Sequence, residues 1–527
     1  MKNSSAKNVM QGAMILSVAS IVAKVLSAIY RVPLQNLVGN TGFYVYQQIY
    51  PIYGIGMTFA LNGFPIFISK IIAEEPDKKN KLVLSRYAML ILAILSIGIF
   101  LFLMVGAQLI AKAMGDVALT PLLRMVSTMF LFMPLLATGR GYYQGIYDVV
   151  PTAKSQVAEQ VVRVAIIILV AVLAVNLDWS IYKMGTWAMA SSTFAAVAST
   201  LFFTKFGLKL AKFKTSSFNA KLFKRLLKRV IVEGGLICLL AAMIILLQLV
   251  DSFTVKNNLV TSGFSQEAAK SMKGIYDRAQ PLVQLGTVIA TAFATTLMPS
   301  LTEALQKRDT RAFYRSATSL LRVSLTISMA ASVGMMALMP QINHLLFGST
   351  AGSLALAVYN LSVIFAALIF VYNSVLQSTG AIKPTMIAIV VGLVVKIILN
   401  SWAVRMLGIT GASLITVVSL AIIAGMMNQV LPNQLPKRVY QEHHFLGKLL
   451  LGNLSMFIVV KLIADVLQST LGLTSRLGAI VVVGFGVIFG AITFISFVFK
   501  FRLFSVREWL TIPYGSKILR IIQRIVK

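Results

Sequence analysis

Residues 82–111 read LVLSRYAMLILAILSIGIFLFLMVGAQLIA, thirty positions with one charge, Arg86. About 20 apolar residues in a helix cross the hydrocarbon of a bilayer, so this run spans it with turns to spare. Working outward, comparable runs fall near 10–34, 42–72, 118–147, 152–175, 182–206, 227–254, 271–302, 314–340, 353–379, 384–404, 408–430, 445–468 and 476–499. The expected fold is therefore an all-α polytopic membrane protein with fourteen transmembrane helices. The first run resembles a signal peptide, but Lys24 interrupts it and no small-residue cleavage site follows, so it counts as a span.

Composition agrees. The chain has 527 residues, 58% apolar and 12% charged, with a mean hydropathy of +0.84. An ordinary soluble domain is about 45–50% apolar and about 25% charged, so a soluble enzyme is excluded. The single cysteine, Cys238, rules out an internal disulfide, and three histidines (His344, His443, His444) leave little for a metal centre. No phosphate-binding G-x-x-x-x-G-K-[ST] loop, HExxH or nucleophile elbow occurs, so neither an enzyme nor a cofactor is expected. Transport would draw on the membrane potential, an ion gradient or the cargo's own gradient.

Lys+Arg number 48 against 16 Asp+Glu, a net charge of +32. In a membrane protein this excess points to cytoplasmic loops facing anionic lipids, not to nucleic acid. The densest cluster, Lys205 to Arg229 after helix six, is cytoplasmic only if both termini are. Lys517, Arg520, Arg524 and Lys527 alternate with Ile518, Ile522 and Ile525, which predicts a basic amphipathic helix over 506–527 on the inner leaflet, or else a solvated tail.

The chain also repeats itself. Gln144, Pro151, Thr152 and Arg163 reappear in order and at constant offset as Gln377, Pro384, Thr385 and Lys396. Gly42, Tyr44 and Gln48 likewise return as Gly274, Tyr276 and Gln280. The offset joins helix two to eight and four to ten, so the unit is six helices, giving two parallel repeats around a central cavity. The expected lobes are 1–220 and 221–440, with 441–505 as two additional helices.

Charges inside spans mark the site. Helix one carries Ser17, Ser20, Lys24, Ser27 and Arg31 at alternating spacings of three and four, on one face. Helix eight offers Asp277, Arg278, Gln280, Gln284, Thr287 and Thr291, and helix two Gln47, Thr58 and Asn62. A charge at the bilayer centre costs at least about 2.5–3.5 kcal/mol, so these faces should meet protein or water. Further intramembrane cations are Arg124, Arg163, Arg322, Lys396 and Lys461; the acids are Glu159, Glu233, Asp251 and Asp277. Glu159 and Arg163 stand at i, i+4 and are expected to neutralise each other. Lys24 and Arg31 have no acid on their own helix, and an electropositive pocket suits a phosphate-like anion. Bland readings stand beside these: Arg31 snorkelling to the interface, Asp277–Arg278 as a structural pair, and Arg163 with Lys396, Glu159 and Asp251 in gating or scaffold roles.

Ser27-Ala28-Ile29-Tyr30-Arg31-Val32-Pro33-Leu34, Gly63-Phe64-Pro65, Arg140-Gly141-Tyr142-Tyr143-Gln144-Gly145 and Gly274 to Pro281 (GIYDRAQP) together resemble the polysaccharide-transport branch of the multidrug/oligosaccharidyl-lipid/polysaccharide (MOP) exporters. Within it the chain is most similar to the MurJ, YtgP and SpoVB-like lipid flippases. The resemblance implies alternating access and a lipid II cargo, a disaccharide-pentapeptide on undecaprenyl diphosphate. It places Lys24, Arg31, Arg278 and Asp277 at the diphosphate and gives the last two helices a groove for the lipid tail. Where well-known MurJ proteins carry an arginine on helix two, this chain offers Gln47 and Gln48. Cell-wall synthesis proteins are the implied partners. Alternatives are another undecaprenyl-diphosphate-linked oligosaccharide, a cation-coupled multidrug antiporter, which wants an anionic pocket, and a non-transporting scaffold.

Overall fold

The computed structural model describes residues 2–213, 218–378, 381–432, 435, 439, 444–472, 475–504 and 508–509. The expected basic helix in the tail lies outside the described residues, apart from Glu508 and Trp509. Every regular element among those described is helical. Eleven runs are long and apolar enough to cross a bilayer. Two of them, Ile15–Glu74 and Lys383–Val430, contain a glycine in the left-handed region, Gly39 (φ 69°) and Gly408 (φ 58°), where the helix breaks. A residue with a Cβ would be strained at either position.

The residues fall into two compact units, Met1–Asp277 and Arg278–Lys527. The first holds α1 (Lys2–Ile29), α2 (Arg31–Thr58), α3 (Phe64–Glu74), α4 (Lys78–Ala113), α5 (Thr120–Ser127), α6 (Met133–Gly145), α7 (Val150–Asn176), α8 (Ile181–Thr200), α9 (Thr204–Lys212), α10 (Ala220–Arg229), α11 (Gly235–Thr261) and α12 (Gln266–Asp277). Pro33 lacks the N–H that would continue the ladder to Ile29, and the chain bends at Tyr30 between α1 and α2. Asp77 caps α4 by accepting from the Asn80 N–H (3.0 Å). Beyond that cap, Leu90, Ile94, Ile97, Leu101 and Val105 form an exposed apolar ladder along α4. Such a ladder suits lipid contact rather than water.

These unit boundaries differ from those of the sequence repeat. The seventh helix and the start of the eighth, α11 and α12, pack with the first unit. Gln48 donates to the Ser252 carbonyl, and Asn40 Nδ2 donates to Ser271 Oγ (3.3 Å). A Cβ at Gly274 would collide with the Asn40 carbonyl oxygen, so only glycine lets α12 approach α2 this closely.

The second unit holds α13 (Ala279–Gln306), α14 (Thr310–Ala337), α15 (Met339–Phe347), α16 (Ser353–Asn360), α17 (Ser362–Ser378), α18 (Ile382–Val430), α19 (Phe445–Leu471) and α20 (Arg476–Lys500). The last two pair with each other, α19 also against α14 and α20 against α15. Arg476 fixes this arrangement by donating to the Leu345 and Leu346 carbonyls (2.8 Å each) at the end of α15. Arg322 lies beside Glu508 (3.7 Å) and over the Phe445 ring, a structural role.

Candidate functional site

In the first unit the polar stripe of helix one meets helix five. Gln156, Gln160 and Arg163 share one face of α7, at spacings of four and three. Ser20 donates to Gln156 Oε1 (3.2 Å), and Arg163 Nη2 donates to Ser27 Oγ (3.1 Å) and Gln160 Oε1 (2.8 Å). Helix five is not among the helices, one, two and eight, whose polar faces the sequence marks as meeting protein or water.

Above this seam stands a tyrosine cage. Tyr46, Tyr50 and Tyr53, spaced four and three on α2, present their rings with Tyr30 from the bend. The Tyr30 and Tyr46 hydroxyls hydrogen-bond each other (2.9 Å). Arg31 stacks over Tyr50 (4.2 Å) and lies 5.9 Å from the centroid of Tyr30. Arg163 sits over Tyr53 (4.5 Å) and Tyr30 (5.1 Å). Both guanidiniums are buried, at 2% and 1% exposure. Arg163 Nε and Nη1 and the Tyr53 hydroxyl find no hydrogen-bond partner among the described residues.

The expected Glu159–Arg163 neutralisation does not form. Glu159 instead pairs with Arg140 of α6 (2.6 Å), whose guanidinium also donates to Ser155 Oγ (3.1 Å) and the Ala60 carbonyl (3.0 Å). Arg140 brings three well-placed bonds from a neighbouring helix, which outweigh a single i, i+4 contact worth a few tenths of a kcal/mol. Among the described residues no carboxylate stands within ion-pair distance of Arg163. A desolvated cation between aromatic faces gains about 2 kcal/mol or more without being neutralised. Arg163 thus keeps its positive charge.

Lys24 is exposed on α1, two turns before Arg31. Gln47 and Gln48 are fully buried on α2. Within the first unit Asp277 binds Lys273 (2.6 Å). Arg278 belongs to the second unit, where it donates to Asn343 Oδ1 (3.0 Å) and lies 5.1 Å from the Phe347 ring centroid. Gln280 is buried there and Gln284 half-buried. Asp251 accepts from the Tyr276 hydroxyl (2.7 Å). Lys396, equivalent to Arg163 by repeat, donates to Thr416 Oγ1 (2.6 Å) and the Ala412 carbonyl (3.0 Å), joining the two arms of α18 across Gly408. Arg124 is exposed, and Lys461 pairs with Asp465 (3.2 Å).

A second polar cluster ties α11 and α12 to the turn after α4. Asp116 accepts from Tyr182 (2.8 Å) and Tyr44 (3.3 Å) and lies 4.0 Å from Lys270 Nζ. Lys256 donates to the Gly115 carbonyl (2.6 Å) and Asn257 to that of Ala113 (3.0 Å). Burial pulls the Lys270 ammonium down, but hydrogen bonds with Glu267 and Tyr182 and the Asp116 charge hold it above the ordinary lysine value.

The profile of a family described as polysaccharide biosynthesis proteins matches residues 9–305. A Bacillus subtilis (strain 168) membrane protein, YabM, described as uncharacterized, is 33% identical over 526 residues, covering 98% of this chain and 96% of its own. The lipid II flippase MurJ of the same organism is 24% identical over 435 residues, 77% of this chain and 79% of its own. Among solved structures, a lipid II flippase MurJ in an inward closed conformation superposes with a TM-score of 0.68 at 16% identity, over 93% of this chain and 99% of that one. An inward-facing multidrug resistance MATE transporter of the MOP superfamily gives 0.60 at 14% identity, over 81% and 99%. These structural likenesses concern the fold.

Proposed function

Because the chain belongs to the polysaccharide biosynthesis protein family, we propose that it moves lipid II from the cytoplasmic to the outer leaflet by alternating access. At the coarser level it is a multi-pass membrane transporter of the MOP type, with MurJ- and SpoVB-like relatives, rather than an enzyme. The single observation that carries the finer reading is the tyrosine cage, where Arg31 and Arg163 lie buried while Glu159 is bound by Arg140. A diphosphate is the part of a lipid-linked sugar that such guanidiniums recognise, through charge-assisted, fork-shaped hydrogen bonds. Lys24 and Arg278 are proposed as further contacts along the transport cycle, with Gln47, Gln48, Gln280 and Gln284 serving the sugar and peptide. The paired helices α19 and α20 accommodate the polyprenyl tail.

In the proposed topology both termini are cytoplasmic and fourteen helices cross the bilayer, with turns at Gly39 and Gly408. A flippase for another undecaprenyl-diphosphate-linked glycan shares the same diphosphate chemistry. A drug antiporter for lipophilic cations is disfavoured by the sign of the cage. The test is complementation: deplete the native lipid II flippase of a bacterium and express this chain. Restored wall synthesis, lost in Lys24→Ala and Arg278→Ala, supports the reading. Failure of the well-folded wild-type chain to complement transfers the proposal to another lipid-linked glycan, and full activity of both variants removes Lys24 and Arg278 from the anion site.

A further inference from the structure

We infer that the cavity at the basic end of α4 is a binding site for an anionic glycerophospholipid, distinct from the transport site. The cavity has a volume of about 410 Å³ and is lined by Arg86, Tyr87, Met89, Leu90, Ala93 and Phe218. Phe213, after α9, and Asn219, before α10, are both fastened to α4. Arg86 Nη1 donates to the Phe213 carbonyl (2.5 Å), and the Asn219 N–H donates to the Tyr87 hydroxyl (2.9 Å). The Phe218 ring meets Tyr87 edge-on (5.5 Å) and also packs on Phe223 (5.4 Å), yet it remains 61% exposed. A phenylalanine held in an aromatic cluster with most of its surface outward marks a place that something else covers.

Position along α4 identifies that surrounding. The exposed apolar ladder of this helix starts at Leu90, and its first turn carries Lys78, Lys79 and Lys81. At 36 residues α4 is about 54 Å long, against about 30 Å of hydrocarbon, so its charged start projects beyond the hydrocarbon. Arg86 and Tyr87 stand one turn before the ladder, at the boundary where headgroups meet acyl chains and where interfacial aromatics belong. The cavity itself has the same polarity: Arg86 on the headgroup side, Met89, Leu90 and Ala93 toward the hydrocarbon.

Charge selects the lipid. Lys209, Lys212, Lys221, Lys224 and Arg225 are exposed on the flanking α9 and α10. Of the acids at this end, Glu74 and Glu233 are bound by Arg229 and Lys70, while Glu75 and Asp77 accept hydrogen bonds at the cap of α4, from the Asp77 N–H and the Asn80 side chain and from the Asn80 N–H respectively. A basic rim over an apolar pocket is complementary to a singly charged phosphodiester on two acyl chains. Among the described residues that line the cavity Arg86 carries the charge, and the Tyr87 hydroxyl already accepts from Asn219, so the site reads charge rather than sugar. None of these residues belongs to the cage on α1, α2 and α7, so the lipid site and the transport proposal fail separately.

The test uses the full-length protein with Phe218→Trp as a reporter, corrected for the native tryptophans, in bilayers containing brominated phosphatidylglycerol or brominated phosphatidylcholine. The expected result is at least twofold stronger quenching by the anionic lipid, unaffected by added inorganic phosphate. That preference disappears in Arg86→Gln. Ala93→Phe, which fills the cavity from the hydrocarbon side and leaves the Arg86–Phe213 bond in place, lowers quenching by the anionic lipid to the level of the neutral one. Equal quenching by both lipids, a preference that survives both variants, or displacement of the anionic lipid by inorganic phosphate or by an undecaprenyl diphosphate overturns the inference.

Discussion

Replacing Arg163 with glutamine separates a cation kept for a ligand from one kept for the fold. In the folded protein Arg163 makes two hydrogen bonds, to Ser27 and Gln160, and stacks on Tyr30 and Tyr53. Hydrogen bonds to a charged group are worth about 1.5–3 kcal/mol each, and desolvated cation–π contacts about 2 kcal/mol. Against them stands the several kcal/mol needed to bury a guanidinium that no carboxylate neutralises. The terms nearly cancel, so Arg163→Gln should change stability by less than about 2 kcal/mol in either direction. Arg140→Gln is the internal control. It strips a buried Glu159 of its partner, which costs about 3–5 kcal/mol. Transport should move the other way. Loss of one charge-assisted contact to a diphosphate, about 1.5–3 kcal/mol, slows flipping of a fluorescent lipid II in proteoliposomes by roughly 10- to 150-fold. Thermal melting and the flipping assay on the same preparations decide the matter. If Arg163→Gln melts as early as Arg140→Gln, or flips lipid II at the wild-type rate, the cage is scaffold and the argument for an anion site in it is wrong.

Four further outcomes follow from the contacts between α12 and its neighbours. Cysteines in place of Asn40 and Ser271, joined by a short bifunctional thiol reagent, should arrest transport until the link is cleaved; uninterrupted flipping would show that α12 never leaves α2, and the native Cys238 is buried and adds no background. Gly274→Ala forces a Cβ against the Asn40 carbonyl and should destabilise the first unit by about 1–3 kcal/mol in denaturation experiments. Asp116→Asn should weaken the anchor of α12 and speed hydrogen exchange over residues 266–277. Because Lys270 is held above the ordinary lysine value, its contribution is complete at neutral pH and is lost only as pH rises through that raised value; exchange in the wild type should therefore show no Lys270-linked step across the neutral range, and such a step would contradict the assignment.

The helices, their lipid-facing character and the polar stripe of helix one were legible because each is written in consecutive residues at a helical period. The partner of that stripe was not. Ser27 and Arg31 mark a face, but nothing local says that Arg163, far along the chain, reaches it; the clue lay in the spacing of Gln156, Gln160 and Arg163, a second stripe of the same kind. Tyr46, Tyr50 and Tyr53 carried a similar period, but aromatic residues on a membrane helix more often fill a core, so their spacing alone does not announce a cage. Glu159 illustrates the opposite error. A local rule assigned it to Arg163, and a tertiary contact from Arg140 overrode that rule. The attachment of α11 and α12 to the first unit was hidden for another reason: a repeat records descent, whereas packing records the conformation.

The choice of tyrosines rather than an acid around Arg163 follows from what a carrier must do. A carboxylate beside this guanidinium would stabilise it at rest, but an incoming diphosphate would have to displace that carboxylate and leave it buried and unpaired. Phenol rings stabilise the cation through their quadrupoles and leave its charge intact, so an anion that reaches Arg163 displaces no counter-charge. The grip is also moderate, because the rings share the cation with the ligand instead of adding formal charge, and a ligand held too tightly on one side of a membrane is not released on the other. The same logic sets the expected effect of Tyr53→Phe. The ring and its contact with Arg163 remain, while the buried hydroxyl without a partner is lost, so stability should rise slightly or hold. If that hydroxyl donates to the bound diphosphate, flipping of lipid II in proteoliposomes should slow by about 5- to 10-fold, the loss of one hydrogen bond of about 1–1.5 kcal/mol. A variant that is both more stable and fully active would show that the hydroxyl faces no ligand at any stage of the cycle.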